Sequence, residues 1–440
     1  MNEPLKLPAS ELYRMVNDAR EHTSELIADL ADEQLIVPKM EIVNPLACEL
    51  GHVAFFYDVF LLNILGSEKF LFEGAENLYD SFKVDHDDRW ELPLPSREGT
   101  SAYMQRVFER VVDRLESHEP NVQETYLFLL SVLHEDMHGE AITYMRQTLE
   151  YRRPDLSVPG DSPSPVEIGG GPLPGDVEIP GATFQLGATP DSPFLFDNEK
   201  WAHPVEVSSF RMARAPVTNA EFSEFVGDRG YSRRELWSHQ GWVWATKTGT
   251  AHPIYWERGE SGWLRRNFDK LVPLEEHAPV IHVTWYEAEA YCNWAGRRLP
   301  IEAEWEMAAG AERAPDGKGI AKRKRRYPWG DEPPTPERAN LDSRFPGCVD
   351  VGAFPSGDSA FGCRQMAGNV WEWTASAFYP FPGYIIDSPY KEYSAPWFGY
   401  RKALKGGAWA TRSRLAYNTY RNFFPPYRRD IFVGFRTCAI

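Results

Sequence analysis

The chain has 440 residues, of which 42% are hydrophobic, 14% aromatic and 25% charged, and its formal net charge is −17. This length exceeds what one hydrophobic core usually organises, so we expect two or three domains and take two as the starting hypothesis. A strongly negative protein repels phosphate backbones and anionic lipid surfaces, which argues against nucleic acid and membranes as partners.

Residues 9 to about 150 have the apolar spacing of helices. Ser10 is expected to cap the first helix, and Tyr103–Leu115 and Glu124–Leu149 carry apolar residues at i, i+3, i+4 and i+7. Short connections between such helices favour a four-helix, up-and-down bundle, in which metal ligands project inward from facing helices.

The segment 158–176, VPGDSPSPVEIGGGPLPGD, is dense in Pro, Gly, Ser and Asp. It predicts an interdomain linker between a helical domain at 1–157 and a second domain at 177–440. The second domain has short apolar runs broken by Gly, Pro and Asn, with helices predicted at Trp285–Gly296 and Ile301–Gly310. This pattern indicates an α+β fold with much irregular structure, in which the basic run KRKRR at 322–326 is predicted to be a solvated loop.

Cysteine usage and the amino-terminal sequence bear on the compartment. The five cysteines are odd in number, widely spaced and contain no C-x-x-C pair. That pattern disfavours a disulfide framework and a zinc knuckle, and it fits the reducing cytoplasm. The sequence MNEPLKLPASELY lacks the apolar segment of a signal peptide, and no stretch approaches the roughly 18 uninterrupted apolar residues of a membrane span. We therefore predict a cytoplasmic protein.

The sequence LHEDMHGE carries a candidate metal-binding pair. His134 and His138 are four residues apart in the last predicted helix of the bundle, so their imidazoles lie on one face, one turn apart. Glu140 lies about 200° round the helix from His138, so it is expected to pack or to support the site from outside the ligand set.

A third ligand has to come from another helix. His52, in NPLACELGHVAFF, is the best candidate because its apolar surroundings leave an imidazole in need of a partner. His22, His86 and His118 have polar or charged neighbours and are expected to be solvated. An i,i+4 histidine pair is often structural, so the hypothesis depends on all three ligands converging. Three imidazoles suit zinc, iron or copper alike, and spacing leaves the metal open.

Several longer motifs resemble known families. The first third is similar to DinB-like metal-binding bundles through NPLACELGH and HEDMHGE, and the remainder resembles the formylglycine-generating-enzyme-like (C-type-lectin-like) fold through PVTNAEF, PVIHVTWYEA, GRRLPIEAEWE, GNVWEW and GFR. This order of domains is typical of the ergothioneine-biosynthetic sulfoxide synthases, or hercynine oxygenases, and the resemblance covers nearly the whole chain. The resemblance implies Fe(II) held by His52, His134 and His138, with dioxygen as co-substrate and hercynine, a trimethylhistidine, as substrate.

In that family an Asn followed by an aromatic residue holds the trimethylammonium-bearing amino acid. Asn422 and Phe423 match this pair, and an aromatic face attracts a quaternary ammonium by roughly 0.5 to 2 kcal/mol. Phe423 and the following Phe424 have ordinary core packing as the alternative interpretation. Arg428 and Arg429 are candidates to clamp a carboxylate of the second substrate, with surface charge as the alternative.

Two departures from the family pattern concern the chalcogen donor. The familiar sulfoxide synthases often have an acidic residue where this chain has Phe424, which favours a donor without the amino group of cysteine. The segments LYDS at 78–81, HDDRW at 86–90 and YKEYSAPWFG at 390–399 resemble the selenoneine synthases, which couple hercynine to a selenium sugar. We therefore expect a selenosugar donor, with cysteine or γ-glutamylcysteine as the alternative.

The family also uses a tyrosine as proton donor near the iron, because reduction of dioxygen needs a proton delivered in register. Tyr379 is the first candidate and Tyr79 the second. For each, the alternative is a packed aromatic ring whose hydroxyl is satisfied elsewhere.

Three other functions are alternatives. A formylglycine-generating oxidase binds copper through two cysteines in its last segment, and residues 410–420 contain none. A zinc-dependent thiol transferase or hydrolase of the DinB type would use the same three imidazoles and leave the second domain without a role. A betaine- or sugar-binding module would use the tryptophans between 237 and 263 and would leave the three histidines without a role. The sequence leaves the oligomeric state open.

Overall fold

In the computed structural model the chain forms two compact units, Met1–Ser157 with Asp191–Phe194, and Val158–Pro190 with Leu195–Ile440. The structure describes residues 5–157, 168, 170–316, 319–388 and 390–440. Most of the linker predicted over 158–176 therefore lies outside the described residues.

Four long helices form the amino-terminal unit. They are α1 Ala9–Glu25, α3 Leu46–Tyr57, α5 Arg97–Ser117 and α6 Val122–Thr148. Shorter elements are α2 Asp32–Ile36, a π-helical turn Asp58–Ile64, α4 Ala75–Tyr79 and a 3-10 turn His86–Asp88. Because α1 and α3 each pack against both α5 and α6, the unit is the predicted helical bundle.

Local chemistry explains where two of these helices begin. Asn121 caps α6: its side chain accepts a hydrogen bond from the Glu124 backbone N–H at 3.1 Å, and the Glu124 carboxylate accepts one from the Asn121 N–H at 2.9 Å. The predicted cap at Ser10 is wrong. Helix α1 already begins at Ala9, and the Pro8 carbonyl accepts the first helical hydrogen bonds.

The third helix is the most apolar part of the bundle. Together with the π-helical turn it forms a stretch, Leu46–Ile64, that could cross a membrane by length and composition alone. In the structure 72% of that window is buried inside the protein, as a core helix of a bundle would be. It therefore positions His52 among packed side chains.

The second unit mixes short helices with short strands, which confirms the α+β prediction. Its helices are α7 Asn219–Gly227, α8 His239–Thr248, α9 Trp285–Ala295 and α10 Glu302–Gly310. Its strands are β1 Asp176–Ile179, β2 Ala182–Leu186, β3 His203–Val207, β4 Phe210–Ala213, β5 Trp256–Arg258, β6 Trp263–Asn267, β7 Lys270–Pro273, β8 Arg297–Arg298, β9 Ala311–Arg313, β10 Ile320–Lys324, β11 Trp371–Ala377, β12 Lys402–Lys405, β13 Asn422–Phe424, β14 Val433–Gly434 and β15 Cys438–Ala439.

Two four-stranded sheets organise this unit. One has the order β1-β4-β15-β8 and is antiparallel, and the other has the order β13-β12-β11-β14, with β11 and β14 parallel. Smaller sheets pair β2 with β3, β9 with β10, and β5 with β6 and β7. Trp305 of α10 and Trp373 of β11 are fully buried, so this helix and this strand contribute to the core. The two predicted helices correspond to α9 and α10.

The basic run at 322–326 is not a solvated loop, contrary to the prediction. Its first part belongs to β10, and the Lys324 ammonium reaches the Glu306 carboxylate and the Gly187 carbonyl, the latter at 2.6 Å. Lys405 binds the other Glu306 oxygen at 3.0 Å, and both of those side chains are fully buried. A buried carboxylate needs such partners, so Lys324 has a structural role in the core.

Candidate metal centre

His52 of α3 and His134 and His138 of α6 bring their ring nitrogens together inside the bundle. One nitrogen from each ring lies within 4.8 Å of the others, and Nε2 of His52 is 3.3 Å from Nε2 of His134. Two imidazole nitrogens that share an ion at about 2.0 to 2.1 Å are expected roughly 3 Å apart. The His52–His134 pair has this spacing, and the three nitrogens together form a donor set suited to one transition-metal ion.

Two of the three rings are oriented by acceptors on their far side. The Nδ1–H of His52 donates to the Tyr79 carbonyl at 2.7 Å, and the Nδ1–H of His138 donates to the Glu49 carboxylate at 2.5 Å. A carbonyl can only accept, so His52 carries its proton on Nδ1 and presents the lone pair of Nε2 to the cluster. A carboxylate accepts in the same way from His138.

The third ring is held by stacking. The Phe56 ring lies on the His134 imidazole with a centroid distance of 3.6 Å and an interplanar angle of 11°, and it also contacts Phe60 at 4.3 Å. Only 2% of His134 is exposed, whereas His52 and His138 are half-buried. This apolar side of the cluster is therefore dry, which strengthens electrostatic interactions there.

Burial keeps the imidazoles in the form that binds metals. It lowers the pKa of His52 to about 4, with a contribution from the neighbouring His138, and it lowers the pKa of His134 well below its usual value. Both rings are therefore neutral at physiological pH. Burial alone would raise the pKa of Glu49, but the electrostatic interaction and the hydrogen bond with His138 lower it to about 2, so this acceptor is an anion.

The sequence interpretation missed Glu49, although its position carried a signal. Glu49 precedes His52 by three residues on α3, which places the two side chains on the same face of the helix. The sequence instead predicts a packing or supporting role for Glu140, on the same helix as His134 and His138. The backbone carbonyl of Tyr79 had no side-chain signal to reveal it.

A glycine makes room for this arrangement. A Cβ added to Gly51 would lie 2.0 Å from Cε1 of Tyr79, so the Tyr79 ring occupies the space beside α3 that a side chain would need. The same ring stacks on Tyr103 at 6.1 Å with an interplanar angle of 11°. Close packing at Gly51 thus holds the residue whose carbonyl orients His52.

The histidines set aside in the sequence interpretation differ in their surroundings. His22 is only 7% exposed, so its predicted solvation is wrong: it packs on α6, where its Cδ2 would lie 3.2 Å from a Cβ on Gly139. His86 is half-buried with Nε2 3.0 Å from the Val43 carbonyl, and the partly exposed His118 lies 2.9 Å from Glu124.

In the second unit, Asn422 and Phe423 lie on β13, which pairs with β12. The Phe423 ring is 9% exposed and stacks on Phe378 at a centroid distance of 4.1 Å. The Asn422 side-chain oxygen accepts a hydrogen bond from the Phe423 backbone N–H at 2.8 Å, which leaves the Asn422 amide NH₂ as the donor group that could meet a ligand.

The neighbouring cations have partners within the unit. Arg428 makes two hydrogen bonds to Asp430, both at 2.6 Å, and its guanidinium lies 5.3 Å from the centre of the Phe424 ring. Arg429 donates to the Thr250 hydroxyl at 2.6 Å. A carboxylate ligand of Arg428 would therefore have to share the guanidinium with Asp430.

The two candidate tyrosines differ in environment. Tyr379 belongs to the second unit, is 57% exposed, and accepts a hydrogen bond from Arg421 through its backbone carbonyl at 3.0 Å. Tyr79 is 3% exposed, and burial raises the pKa of its hydroxyl to about 12. Tyr79 adjoins the histidine cluster through its carbonyl, and the role of either hydroxyl as proton donor stays a prediction.

Two family models match separate parts of the chain. Residues 15–142 match the DinB superfamily, and residues 164–439 match the sulfatase-modifying factor enzyme 1-like domain. The formylglycine-generating enzyme of Mycobacterium tuberculosis is 34% identical over 255 residues, which cover 50% of this chain and 79% of that protein.

Two relatives are similar over almost their whole length. The hercynine oxygenase of Mycobacterium tuberculosis is 37% identical over 423 residues, which cover 95% of this chain and 96% of that protein. The hercynine oxygenase of Mycolicibacterium thermoresistibile is 37% identical over 442 residues, which cover 97% of this chain and 94% of that protein. Identity at this level over nearly all of both sequences shows that the chain belongs to the hercynine oxygenase family.

Proposed function

We propose that this protein is a non-heme iron enzyme that uses dioxygen to join selenium or sulfur to the imidazole of hercynine. The observation that supports it most is the convergence of His52, His134 and His138 in a member of the hercynine oxygenase family. The proposed ion is Fe(II), which would supply a site where dioxygen is bound and reduced next to the two substrates.

The reaction balances with one dioxygen. A C–H bond of the imidazole and an H–chalcogen bond of the donor are replaced by a carbon–chalcogen bond, which releases two electrons and two protons. Oxidation of the chalcogen releases two more electrons. One oxygen atom stays on the chalcogen, and the other leaves as water with the two protons.

The protein's own residues would prepare this chemistry by orientation and by exclusion of water. The Tyr79 carbonyl and the Glu49 carboxylate fix the protons of His52 and His138 on Nδ1, away from the cluster. The Phe56 ring covers one face of His134. Fixed ligands avoid reorganisation when substrates arrive, and a dry wall limits the loss of reactive species to water.

Asn422 and Phe423 are the residues that would hold hercynine. The NH₂ group of Asn422 is a donor suited to the carboxylate of the betaine. Phe378 already covers one face of Phe423, so a quaternary ammonium would have to meet the opposite face, because the edge of the ring is positive. Tyr379, an exposed residue, is the proposed proton donor, with Tyr79 as second candidate.

For the donor we propose a selenosugar, because Phe424 stands where an acidic residue would hold the amino group of a cysteine-type donor. Cysteine or γ-glutamylcysteine is the alternative. Anaerobically purified Fe(II) protein would be incubated with hercynine, O2 and each donor in parallel, and the product identified by mass. A selenium-containing product from the selenosugar, with cysteine and γ-glutamylcysteine slower, is expected, and the reverse preference would assign the sulfur chemistry instead.

Metal analysis combined with oxygen consumption tests the class of reaction. We expect one iron per chain and O2 uptake that depends on hercynine, both lost in His134→Ala and kept in His239→Ala, which removes an exposed histidine of α8. Bound zinc without O2 uptake would instead support the thiol transferase alternative.

A further inference from the structure

A chain of three hydrogen bonds ends on one of the three histidines. The Arg89 guanidinium donates to Oδ1 of Asn44 at 2.8 Å, and Nδ2 of Asn44 donates to Oε1 of Glu49 at 2.6 Å. The other carboxylate oxygen of Glu49 accepts from Nδ1 of His138 at 2.5 Å. These hydrogen bonds connect α6 to α3, to the residues that precede α3 and to the segment that follows the 3-10 turn at His86–Asp88.

Each link of this chain has only one possible direction. A guanidinium has no acceptor, so Arg89 must donate and Asn44 must present its oxygen to it. The amide NH₂ of Asn44 then faces Glu49, and a carboxylate can only accept. The one remaining carboxylate oxygen faces His138, whose Nδ1 must therefore carry the proton.

Burial makes this order consequential. Glu49 is 5% exposed, and Asn44 and Arg89 are half-buried. A buried carboxylate loses its solvation and depends on its hydrogen-bond donors, and two of them, Asn44 and His138, lie on opposite sides of it. Rotation of the Glu49 side chain would break both hydrogen bonds together. Arg89 and Asn44 therefore restrain the imidazole ring of His138 through Glu49.

We propose that Arg89, Asn44 and Glu49 are positioning residues that aim Nε2 of His138 at the ion and so set the affinity of the site for metal. This inference rests on the proposed metal site and assigns no direct contact with substrate to the three residues. Outer partners of metal-binding histidines typically change metal affinity about 10- to 100-fold when they are removed.

Isosteric exchanges test the direction of the chain. In Glu49→Gln, the oxygen of the new amide can still meet His138, but its NH₂ then faces the NH₂ of Asn44, donor against donor. In Asn44→Asp, two carboxylates face each other. In the double variant Asn44→Asp/Glu49→Gln the pairing is restored: Arg89 meets Asp, the amide of Gln donates to Asp, and its oxygen accepts from His138.

The measurement is a titration of the metal-free full-length protein with Co(II), followed by the visible absorption of the bound ion, with circular dichroism to verify folding. We expect Glu49→Gln to weaken Co(II) binding about 10- to 100-fold and Asn44→Asp to weaken it as well. The double variant is expected to bind Co(II) more tightly than Glu49→Gln. As a control, Glu109→Gln removes an exposed carboxylate of α5 that accepts from Gln105, and it should bind as the wild type does.

Two results would overturn the inference: wild-type affinity in Glu49→Gln, or a double variant that binds no more tightly than Glu49→Gln. If Glu49→Gln does not fold, Arg89→Met, at a half-buried position, is tested instead. Unchanged Co(II) affinity in Arg89→Met would contradict the proposed role of these hydrogen bonds. Failure of the proposed metal site is a separate result. It would appear as a wild-type protein that binds no Co(II) or one whose affinity is unchanged by His134→Ala.

Discussion

Substitution of Gly51 by alanine is a sharp test of how the first unit holds His52. The added Cβ would lie 2.0 Å from Cε1 and 2.3 Å from Cζ of the Tyr79 ring. The ring would have to retreat by about 1.4 Å to reach ordinary carbon–carbon contact. Tyr103 stacks against that ring, and its hydroxyl is fixed by a 2.9 Å hydrogen bond to Asp58, so there is little room for retreat.

The expected cost has two parts. Overpacking of this kind destabilises a protein by about 1 to 3 kcal/mol, which corresponds to about 2 to 4 °C in melting temperature for each kcal/mol in a unit of this size. The backbone of Tyr79 moves with its ring, which lengthens the 2.7 Å hydrogen bond from His52 to the Tyr79 carbonyl. Loss of that outer partner should weaken metal binding by about tenfold.

Thermal unfolding by circular dichroism and Co(II) titration measure the two parts separately. Gly227→Ala is the matched control, because a Cβ at the end of α7 meets no atom of the described residues within 4 Å. In a Tyr79→Ala background the clash is gone, so Gly51→Ala should there change neither quantity appreciably. If the Gly51→Ala penalty persists without the tyrosine ring, the clash is not its cause and the reasoning is refuted.

Further predictions concern the packed wall of the proposed metal site and the buried ion pairs of Glu306. Phe56→Leu removes the ring stacked on His134, so the affinity for Co(II) should fall several-fold. Urea unfolding should show that the free energy of unfolding is lower by about 1 kcal/mol. Glu306→Gln leaves two lysines without their buried carboxylate, so the free energy of unfolding in urea should fall by about 3 to 5 kcal/mol. In Lys405→Met the decrease should be smaller, because Lys324 still pairs with Glu306. Although burial acts to raise the pKa of Glu306, the two lysines lower it from 4.5 to about 2, so its contribution to stability is complete above pH 4.5 and is lost as the pH falls toward 2. Acid unfolding followed by tryptophan fluorescence should be less steep in Glu306→Gln across that interval.

The parts of the site that sequence predicts are those encoded by local spacing. The four-residue interval between His134 and His138 maps directly onto one helix face, and the apolar context of His52 indicated a buried imidazole. The same logic applied to Glu49, three residues before His52, would have found its carboxylate. Polar neighbours in sequence misled for His22, because an amphipathic helix alternates solvated and buried positions that the immediate neighbours do not distinguish.

Long-range partners are what sequence could not supply. Lys324 belongs to a run of five basic residues, and composition alone favours a solvated loop there. Its partner Glu306 lies 18 residues earlier, on a buried helix, and only the packing of β10 near α10 brings the two charges together. The Tyr79 carbonyl is a stronger case, since any residue type would provide the same backbone acceptor.

The three histidines are chemically unequal despite being the same residue type. His138 faces a carboxylate, His52 faces a neutral carbonyl, and His134 lies against an aromatic face. A negatively charged hydrogen-bond acceptor makes the imidazole more basic than a neutral acceptor does. The Nε2 atom of His138 should therefore bind the proposed ion more strongly than that of His52. This asymmetry follows from residues other than the three histidines, so the histidine motif specifies which atoms would meet the proposed ion, whereas Glu49 and Tyr79 determine how those atoms differ.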